Sequence, residues 1–545
     1  MVSNVNYQVV SANEWLFSDS EVSGDGACII SLIAARGSRI GCQILVNHVP
    51  NPSEIRWSYR SKTATSDLQA EVYQMIDVLV NENTGPDVST VPLGTPADYA
   101  TRLAPFRVYD ALQPVGPAYP SRSTTEALYV SWDIPIAMTP GDYAGVFELW
   151  VGETSFTIPV SIQVVHATVP EQAALATTNW MSIQNVAKRH QLEMWSEPFW
   201  AMVRKYGEAM RRAKQTHFLV GLEFIQVQAG ADGQYTFDFS RAERLIRMFL
   251  ALGFTGIEGG HVAGRTDWNA PNFVLSYDNK IDATGTEGFA FLAQFLPAWH
   301  QFLSMNGWLT ITIQHIADEP IEESAADFRI LSGIVRKFMP GVPLIEAMIY
   351  PAIEGSMDIW VPTNEGFDKH REHFERMQQL GDTVWFYTCW NPGGNYLNRF
   401  MDLHLLKTRY LHWGNYKYGL TGYLHWGFNQ YLGEQDPYEL TCPFLAPSVH
   451  SRRVPAGDTH IVYPGADGPL LSMRLEAMRA GIEDYELFQQ LAAYDRDAAD
   501  EILSTCMTSF TNVNTDMNVF DEAYRRLLMS LSAYAQQTSI VEESI

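Results

Sequence analysis

Two carboxylic residues, Asp318 and Glu319, stand side by side at the end of the apolar run Trp308 to Ala317, and Pro320 closes it. An acidic helix start, Ile321-Glu322-Glu323-Ser324, follows. Adjacent carboxyls at the mouth of a strand repel, which raises the pKa of one of them. A neutral acid beside an ionised carboxylate is what glycosidic bond cleavage requires. The plainer use of the same residues is a strand end capped by Asp, with Glu in the first turn of the next helix.

Placing such a pair takes a strand that ends at the same level as its neighbours. From about residue 175 the chain alternates strand and helix patterns. Eight strands are expected around Thr178–Ser182, His217–Glu223, Gly256–His261, Trp308–Ala317, Pro343–Ile349, Met357–Val361, Thr383–Trp390 and Leu420–Gly427. The helical pattern Arg241–Leu250 opens after Ser240, expected as its cap. Eight such units over about 250 residues have the size and rhythm of a (β/α)8 TIM barrel. An open doubly wound sheet is the rival, but its glycine-rich dinucleotide turn is missing.

Residues 1–172 read as short β-rich runs between Gly and Pro punctuation, with a hairpin turned at Gly152-Glu153. The expected fold is therefore multidomain. It comprises an antiparallel β-sandwich (1–172), a catalytic (β/α)8 barrel (173–465) and a C-terminal helical extension packed on it (466–545). Within that extension Ser472–Arg479 opens a helix, and further helical patterns lie near 498–510 and 517–536.

Barrel enzymes keep their chemistry at the carboxyl ends of the strands. Those ends carry Glu258 and His261, then Asp318 and Glu319, then Tyr387, Trp390 and Asn391, then Trp426 and Asn429. Carboxyls, aromatics and amides with few cations suit a neutral polyhydroxylated ligand. A retaining glycosidase with its own nucleophile needs a second carboxylate roughly 5 Å from the acid. The seventh strand, where many barrel glycosidases carry it, offers Tyr387 and Trp390 instead. The vacancy fits attack by the substrate's own 2-acetamido oxygen, with Glu319 as acid/base and Asp318 holding the acetamido N–H. Glu258, Glu346 and Asp358 stand as rival nucleophiles. His261, Glu258, Tyr387, Trp390, Asn391, Trp426 and Asn429 are the candidate sugar contacts. No metal or cofactor is expected, because His261, His315 and His425 sit on different strands without ligand spacing.

Composition narrows the partners. With 46% apolar and 18% charged residues the chain is globular, and its net charge of -25 opposes nucleic acid and anionic membranes. Its 15 Trp, 25 Tyr and 27 Phe suit sugar-binding clefts, although most aromatics serve the core. Five scattered cysteines suggest neither a disulfide framework nor a zinc site. No run approaches the roughly 18 apolar residues of a membrane span, and Met1–Tyr7 lacks a signal-peptide pattern. The expected location is cytoplasmic, or exported if a leader has been removed.

The chain resembles glycoside hydrolase family 123 over nearly its whole length. The carrying motifs are Ala34-Ala35-Arg36-Gly37, Thr139–Gly145, Ile257-Glu258-Gly259-Gly260-His261 and Ala317-Asp318-Glu319-Pro320. They continue through Trp385–Thr388, Asn398-Arg399-Phe400, Gly422–Asn429, Gly457-Asp458, Tyr463-Pro464-Gly465 and Ser472–Glu486, the last being the most specific. The resemblance implies a β-sandwich followed by a (β/α)8 barrel. It also implies a β-N-acetylgalactosaminidase acting by substrate assistance on an oligosaccharide or glycoconjugate, with the Asp-Glu pair at Asp318 and Glu319. The alternatives are β-GlcNAc specificity, a non-acetamido sugar cleaved exo or endo with a carboxylate nucleophile, and a non-catalytic carbohydrate-binding protein.

Overall fold

The β-branched and aromatic runs of the first region pair into two facing sheets. The computed structural model describes residues 4–24, 26–63, 68–87, 89–445 and 453–543, the side chains of 537–543 excepted. One sheet runs Asn6–Ser11, Arg39–Asn47, Thr125–Asp133, Ala70–Val80, Phe106–Pro114, Pro469–Ser472, Tyr463–Pro464. The other runs Ile30–Arg36, Thr154–Thr168, Gly141–Val151, Glu54–Ser61, Ala118–Pro120. Ile44, Leu128, Trp132, Phe147 and Leu149 fill the layer between them. Gly152, at a φ of +57°, turns the expected hairpin, so that Val151 faces Thr154.

Two expectations need correction. Thr154–Thr168 lies parallel to Ile30–Arg36, so the sheets are not wholly antiparallel. The segment after 466, expected as helical, opens with the strand Pro469–Ser472, which pairs with Ala111 and Leu112. It thereby sews the end of the chain to the first sheet.

Each of the eight later segments overlaps a strand. They are β1 (Ala176–Asn179), β2 (His217–Val220), β3 (Gly256–Gly259) and β4 (Thr312–His315). Then come β5 (Leu344–Met348), β6 (Ile359–Pro362), β7 (Thr383–Val384 and Phe386–Tyr387) and β8 (Gly422–His425). All their pairings are parallel. The strands form a sheet β2-β3-β4-β5-β6-β7 and a second sheet β1-β8-β7. The Thr216 N–H donates to the Thr177 carbonyl over 3.1 Å, tying β1 to the residue before β2.

Strands buried on both faces read as apolar runs rather than alternations. Ile313, Ile345, Ala347, Ile359, Val361 and Leu424 pack together, and Trp180, Trp390 and Trp426 pack against them. Helix Ser240–Ala251 buries Ala242, Leu245, Ile246 and Phe249, one helical face. Ser240 is its first residue rather than its cap; Asp238 Oδ1 accepts the Ser240 N–H at 2.8 Å. The β5–β6 connection carries no helix.

The motif Ser472–Glu486 forms most of helix Met473–Tyr494, capped by Ser472, whose Oγ accepts the Leu475 N–H at 3.0 Å. Its charges are buried and paired. Arg474 meets Asp110 of the first sheet at 2.9 Å, Asp484 meets Arg409 at 2.6 Å, and Arg479 meets Glu483 at 2.8 Å. Such pairs leave an uncompensated buried charge when one partner is lost. The most specific motif of the sequence is thus the seam between its layers. All five cysteines are free, and no helix among the described residues is long and apolar enough to cross a membrane.

Candidate active site

Strand β4 ends at His315, and the backbone beyond it is clamped by Glu346 of β5. Glu346 Oε2 accepts the N–H groups of Ile316 and Ala317, each at 2.9 Å. The Glu319 N–H then donates to the Ala347 carbonyl at 3.2 Å, and Glu319 adopts a φ of +47°. A non-glycine residue held left-handed stores roughly 1–3 kcal/mol and persists only where its surroundings over-determine it. Here they do. On the other side Val262 and Ala263 donate to the Ile316 carbonyl at 3.1 Å, and Ala263 runs parallel to Ala317. Arg265, two residues further on, is one of the charges that act on Glu319.

Below the pair lies a chain of buried charge. His315 is fully buried and has a carboxylate at each ring nitrogen, Glu346 Oε1 at 3.1 Å and Glu258 Oε2 at 3.2 Å. Burial alone would lower its pKa, but Glu346 and Glu258 push it up to about 10. It is therefore an imidazolium at neutral pH. His261 Nε2 adds a contact of 3.0 Å to Glu346, and the Trp180 indole donates to Glu258 at 3.0 Å. Against the desolvation that would raise it, His261 and His315 hold Glu346 well below the usual carboxylate range.

The expectation that the three histidines lie apart is corrected for two of them. His261 and His315 converge on Glu346 because parallel neighbouring strands bring their carboxyl ends together. This trio is compact enough to hold a metal ion, and its groups are joined by hydrogen bonds from both imidazoles to Glu346 Oε1. His425 stays apart, its Nδ1 accepting the Gly427 N–H at 3.0 Å.

Asp318 and Glu319 open into a cavity of about 270 Å³. Trp180, Trp268, Tyr387, Trp390, Trp426 and Gln430 are among the residues that line it. The Tyr387 hydroxyl donates to Glu319 Oε1. Trp426 is held by its indole N–H on Asp458, at 3.1 and 3.2 Å from the two oxygens. Of the residues expected at the sugar, Tyr387, Trp390 and Trp426 line this space. His261 and Glu258 belong to the charge chain beside it. Asn391 Oδ1 accepts from the Cys389 thiol at 2.7 Å. The Asn429 amide is spent on the backbone N–H and C=O of Ser182, at 2.7 and 3.0 Å.

Trp180, Trp268 and Gln430 are among the lining residues that were not expected from the sequence. Trp180 could have been found as the residue closing the first strand. Trp268 and Gln430 sit in loops without periodicity and leave no such signal.

Burial is the main cause that pushes Glu319 up, to about 8, and the neighbouring Asp318 adds to it. The Tyr387 hydrogen bond and Arg265 oppose the rise. Asp318 is raised by burial as well, but His261, His315 and Arg265 all favour its ionised form. Glu346 adds to the rise of Asp318, so both carboxyls are raised, and charges this close titrate as a pair. Among the described residues Asp318 accepts no hydrogen bond from the protein, although it faces the cavity.

The sequence profile of the glycoside hydrolase 123 catalytic domain matches residues 180–491. A solved family 123 glycoside hydrolase from Clostridium perfringens, studied for glycolipid glycan hydrolysis, superposes with a TM-score of 0.76 at 15% identity. The match covers 99% of this chain and 100% of that one. A GH39 β-xylosidase from Caulobacter crescentus gives a TM-score of 0.36 at 10% identity, over 56% of this chain and 70% of its own. A β-galactosidase from Marinomonas ef1 gives 0.37 at 9%, over 60% and 61%. No curated protein matches by sequence.

Proposed function

Since the chain belongs to glycoside hydrolase family 123, and is thus a glycan-cleaving enzyme, we propose that it is a β-N-acetylgalactosaminidase using the substrate's 2-acetamido group as nucleophile. In this reading the two parallel sheets close as a (β/α)8 barrel with the Asp-Glu pair at its carboxyl mouth. The sandwich occupies 1–172, the barrel 173–465 and the helical extension 466–545. The substrate is a terminal β-GalNAc on a glycan or glycoconjugate. The choice of GalNAc rests on the family's characterised members.

One observation supports the mechanism: among the described residues, the rival carboxylates near the pair are buried or bound elsewhere. Glu346 accepts hydrogen bonds at both oxygens, from His261, His315, Ile316 and Ala317. Glu258 is fully buried against His315 and Trp180. Asp358 precedes β6, at the opposite end of the strands, bound to Arg336 at 3.0 Å and to the Leu344 N–H at 2.7 Å. Among the described residues, the only carboxylates lining the cavity are Asp318 and Glu319.

The steps then balance as follows. Glu319 donates its proton to the glycosidic oxygen as the C1–O bond breaks. The acetamido carbonyl oxygen attacks C1 from the other face and closes an oxazolinium ring. Asp318 accepts the acetamido N–H and stabilises the positive charge that develops there. Glu319, now a carboxylate, takes a proton from water, which attacks C1 and reopens the ring. Two inversions give net retention.

The test is hydrolysis of aryl β-GalNAc, β-GlcNAc and β-galactoside by the wild-type enzyme. Turnover of the 2-acetamido sugars, GalNAc fastest, is the expected result. Comparable turnover of the β-galactoside would refute the mechanism, and a preference for GlcNAc would refute the substrate.

A further inference from the structure

The motif Gly457-Asp458 takes no part in the chemistry above, yet it stands directly behind the catalytic cavity. Past β8 the chain is laced to it. The Gln430 N–H donates to the Thr459 carbonyl at 2.9 Å and the Ile461 N–H to the Phe428 carbonyl at 3.0 Å, so Asn429 and His460 pair antiparallel. Trp426 and Gln430, on either side of this stretch, both line the cavity.

The two backbones lie this close because of glycines. A Cβ on Gly427 would come within 2.3 Å of the Asp458 carbonyl oxygen. Gly457 holds a left-handed φ of +100°, and a Cβ there would meet Arg474 Nη1 at 2.7 Å. Arg474 fixes the loop from behind, its Nη1 donating to the Gly457 and His460 carbonyls at 2.7 and 2.9 Å. Arg399 Nη2 donates to the Asp458 carbonyl at 2.8 Å.

The Asp458 side chain is fully buried, and both of its oxygens accept the Trp426 indole N–H. Burial pushes its carboxyl up to about 7, against Arg399, the indole hydrogen bond and Arg474. Either protonation state keeps an oxygen for the indole. His425 Nε2 faces the same carboxyl at 3.4 Å. A tryptophan ring turns about two torsions, and pinning its N–H leaves the ring one position in the cavity wall. Trp180 is pinned in the same way, its indole on Glu258.

We infer that Asp458 is a positioning residue of the glycosidase: by pinning Trp426 it fixes the wall against which the cleaved sugar is bound. It acts through Trp426 and does not itself touch the sugar. The inference rests on the reading of this cavity as the sugar site. A sugar resting on a wall that swings by about an ångström loses its alignment with the acid.

The test is a double-mutant cycle in kcat/KM, on whichever aryl glycoside the wild type hydrolyses. Asp458→Leu removes both acceptors, and Trp426→Phe removes the donor while keeping an aromatic ring. Asp458→Leu alone is expected to lower kcat/KM about tenfold, the worth of one hydrogen bond to a charged group. In the Trp426→Phe background the same change should cost less than about twofold, because no N–H is left to hold. Asp458→Asn keeps the volume and one acceptor, so it completes the same cycle with a loss of about threefold if the Leu chain does not fold.

The Trp426 indole N–H resonance of the nitrogen-15-labelled full chain, assigned by its loss in Trp426→Phe, reads the contact without any substrate. Its outcome is therefore separate from that of the proposed activity. The signal is expected to move and broaden in Asp458→Leu, and to move less in Asp458→Asn. A signal that stays in place overturns the inference. So does an equal loss of kcat/KM from the Asp458 change with and without the Trp426 N–H, which would leave Asp458 a purely structural role.

Discussion

Glu319→Gln is expected to lower kcat/KM toward a β-GalNAc oligosaccharide by about 10²–10⁴-fold, the usual worth of a positioned general acid. Gln keeps the size and accepts the Tyr387 hydrogen bond, so the geometry survives and the proton is lost. A sugar alkoxide leaves poorly without that proton. A nitrophenolate leaves readily, so the loss on nitrophenyl β-GalNAc should be markedly smaller. The pH profile carries the same signature. Glu319 must be protonated to act, and its carboxyl is pushed up to about 8, so wild-type kcat/KM falls as pH rises past about 8. That limb should vanish in the variant. Equal losses on both leaving groups, with the limb intact, would assign the acid elsewhere.

Glu346→Ala is expected to destabilise the protein by about 3–5 kcal/mol, the cost of breaking a buried ion pair from one side. The change removes the acceptor of two backbone N–H groups and leaves the buried His315 imidazolium with Glu258 alone. The denaturant midpoint measures it. Adding His315→Leu should cost less than the two single changes summed, because the residual charge disappears with its partner. The pH window follows from both shifts. The His315 contribution is fully present below its ordinary value of 6.5 and is lost as pH rises through about 10. The Glu346 contribution is present above 4.5 and is lost as pH falls through its depressed value. The variant's deficit should therefore be largest between those two ordinary values. A deficit below about 1 kcal/mol would mean that the chain of charge holds nothing in place.

The two effects meet at the same turn. Glu346 clamps Ile316 and Ala317, and the next residues are Asp318 and a left-handed Glu319. Losing the clamp should therefore also reduce kcat, since the acid would no longer be held at the height the glycosidic oxygen occupies.

What the sequence displayed follows from range. Asp318 and Glu319 are adjacent and close an apolar run, so their pairing needed no tertiary knowledge. The parallel strands were readable because burial on both faces makes them short uninterrupted apolar stretches. The charge chain was not readable as a unit. His261 and Glu346 are 85 residues apart, and His315 and Glu258 are 57 apart. Only the strand register joins them.

Glu258 and Glu346 looked like free carboxylates for the same reason, since nothing local reveals a partner on the next strand. Pro469–Ser472 reads as a loop before a helix, and becomes a strand because Phe106–Pro114 offers an open edge beside it. Trp268 lies where no periodicity points, yet it is 36% exposed at the catalytic cavity. The conspicuous Ser472–Glu486 motif serves ion pairing between layers rather than the sugar.

In the proposed mechanism the nucleophile belongs to the substrate. This is tested most directly with aryl β-GalNAc analogues whose N-acetyl group carries one, two and three fluorines. Fluorine weakens the carbonyl oxygen as a nucleophile and leaves the leaving group untouched. kcat is expected to decline steeply with each fluorine, while Glu319 and the Asp318 contact remain in place. A rate that stays level across the series, with a glycosyl group trapped on a protein carboxylate, would contradict it.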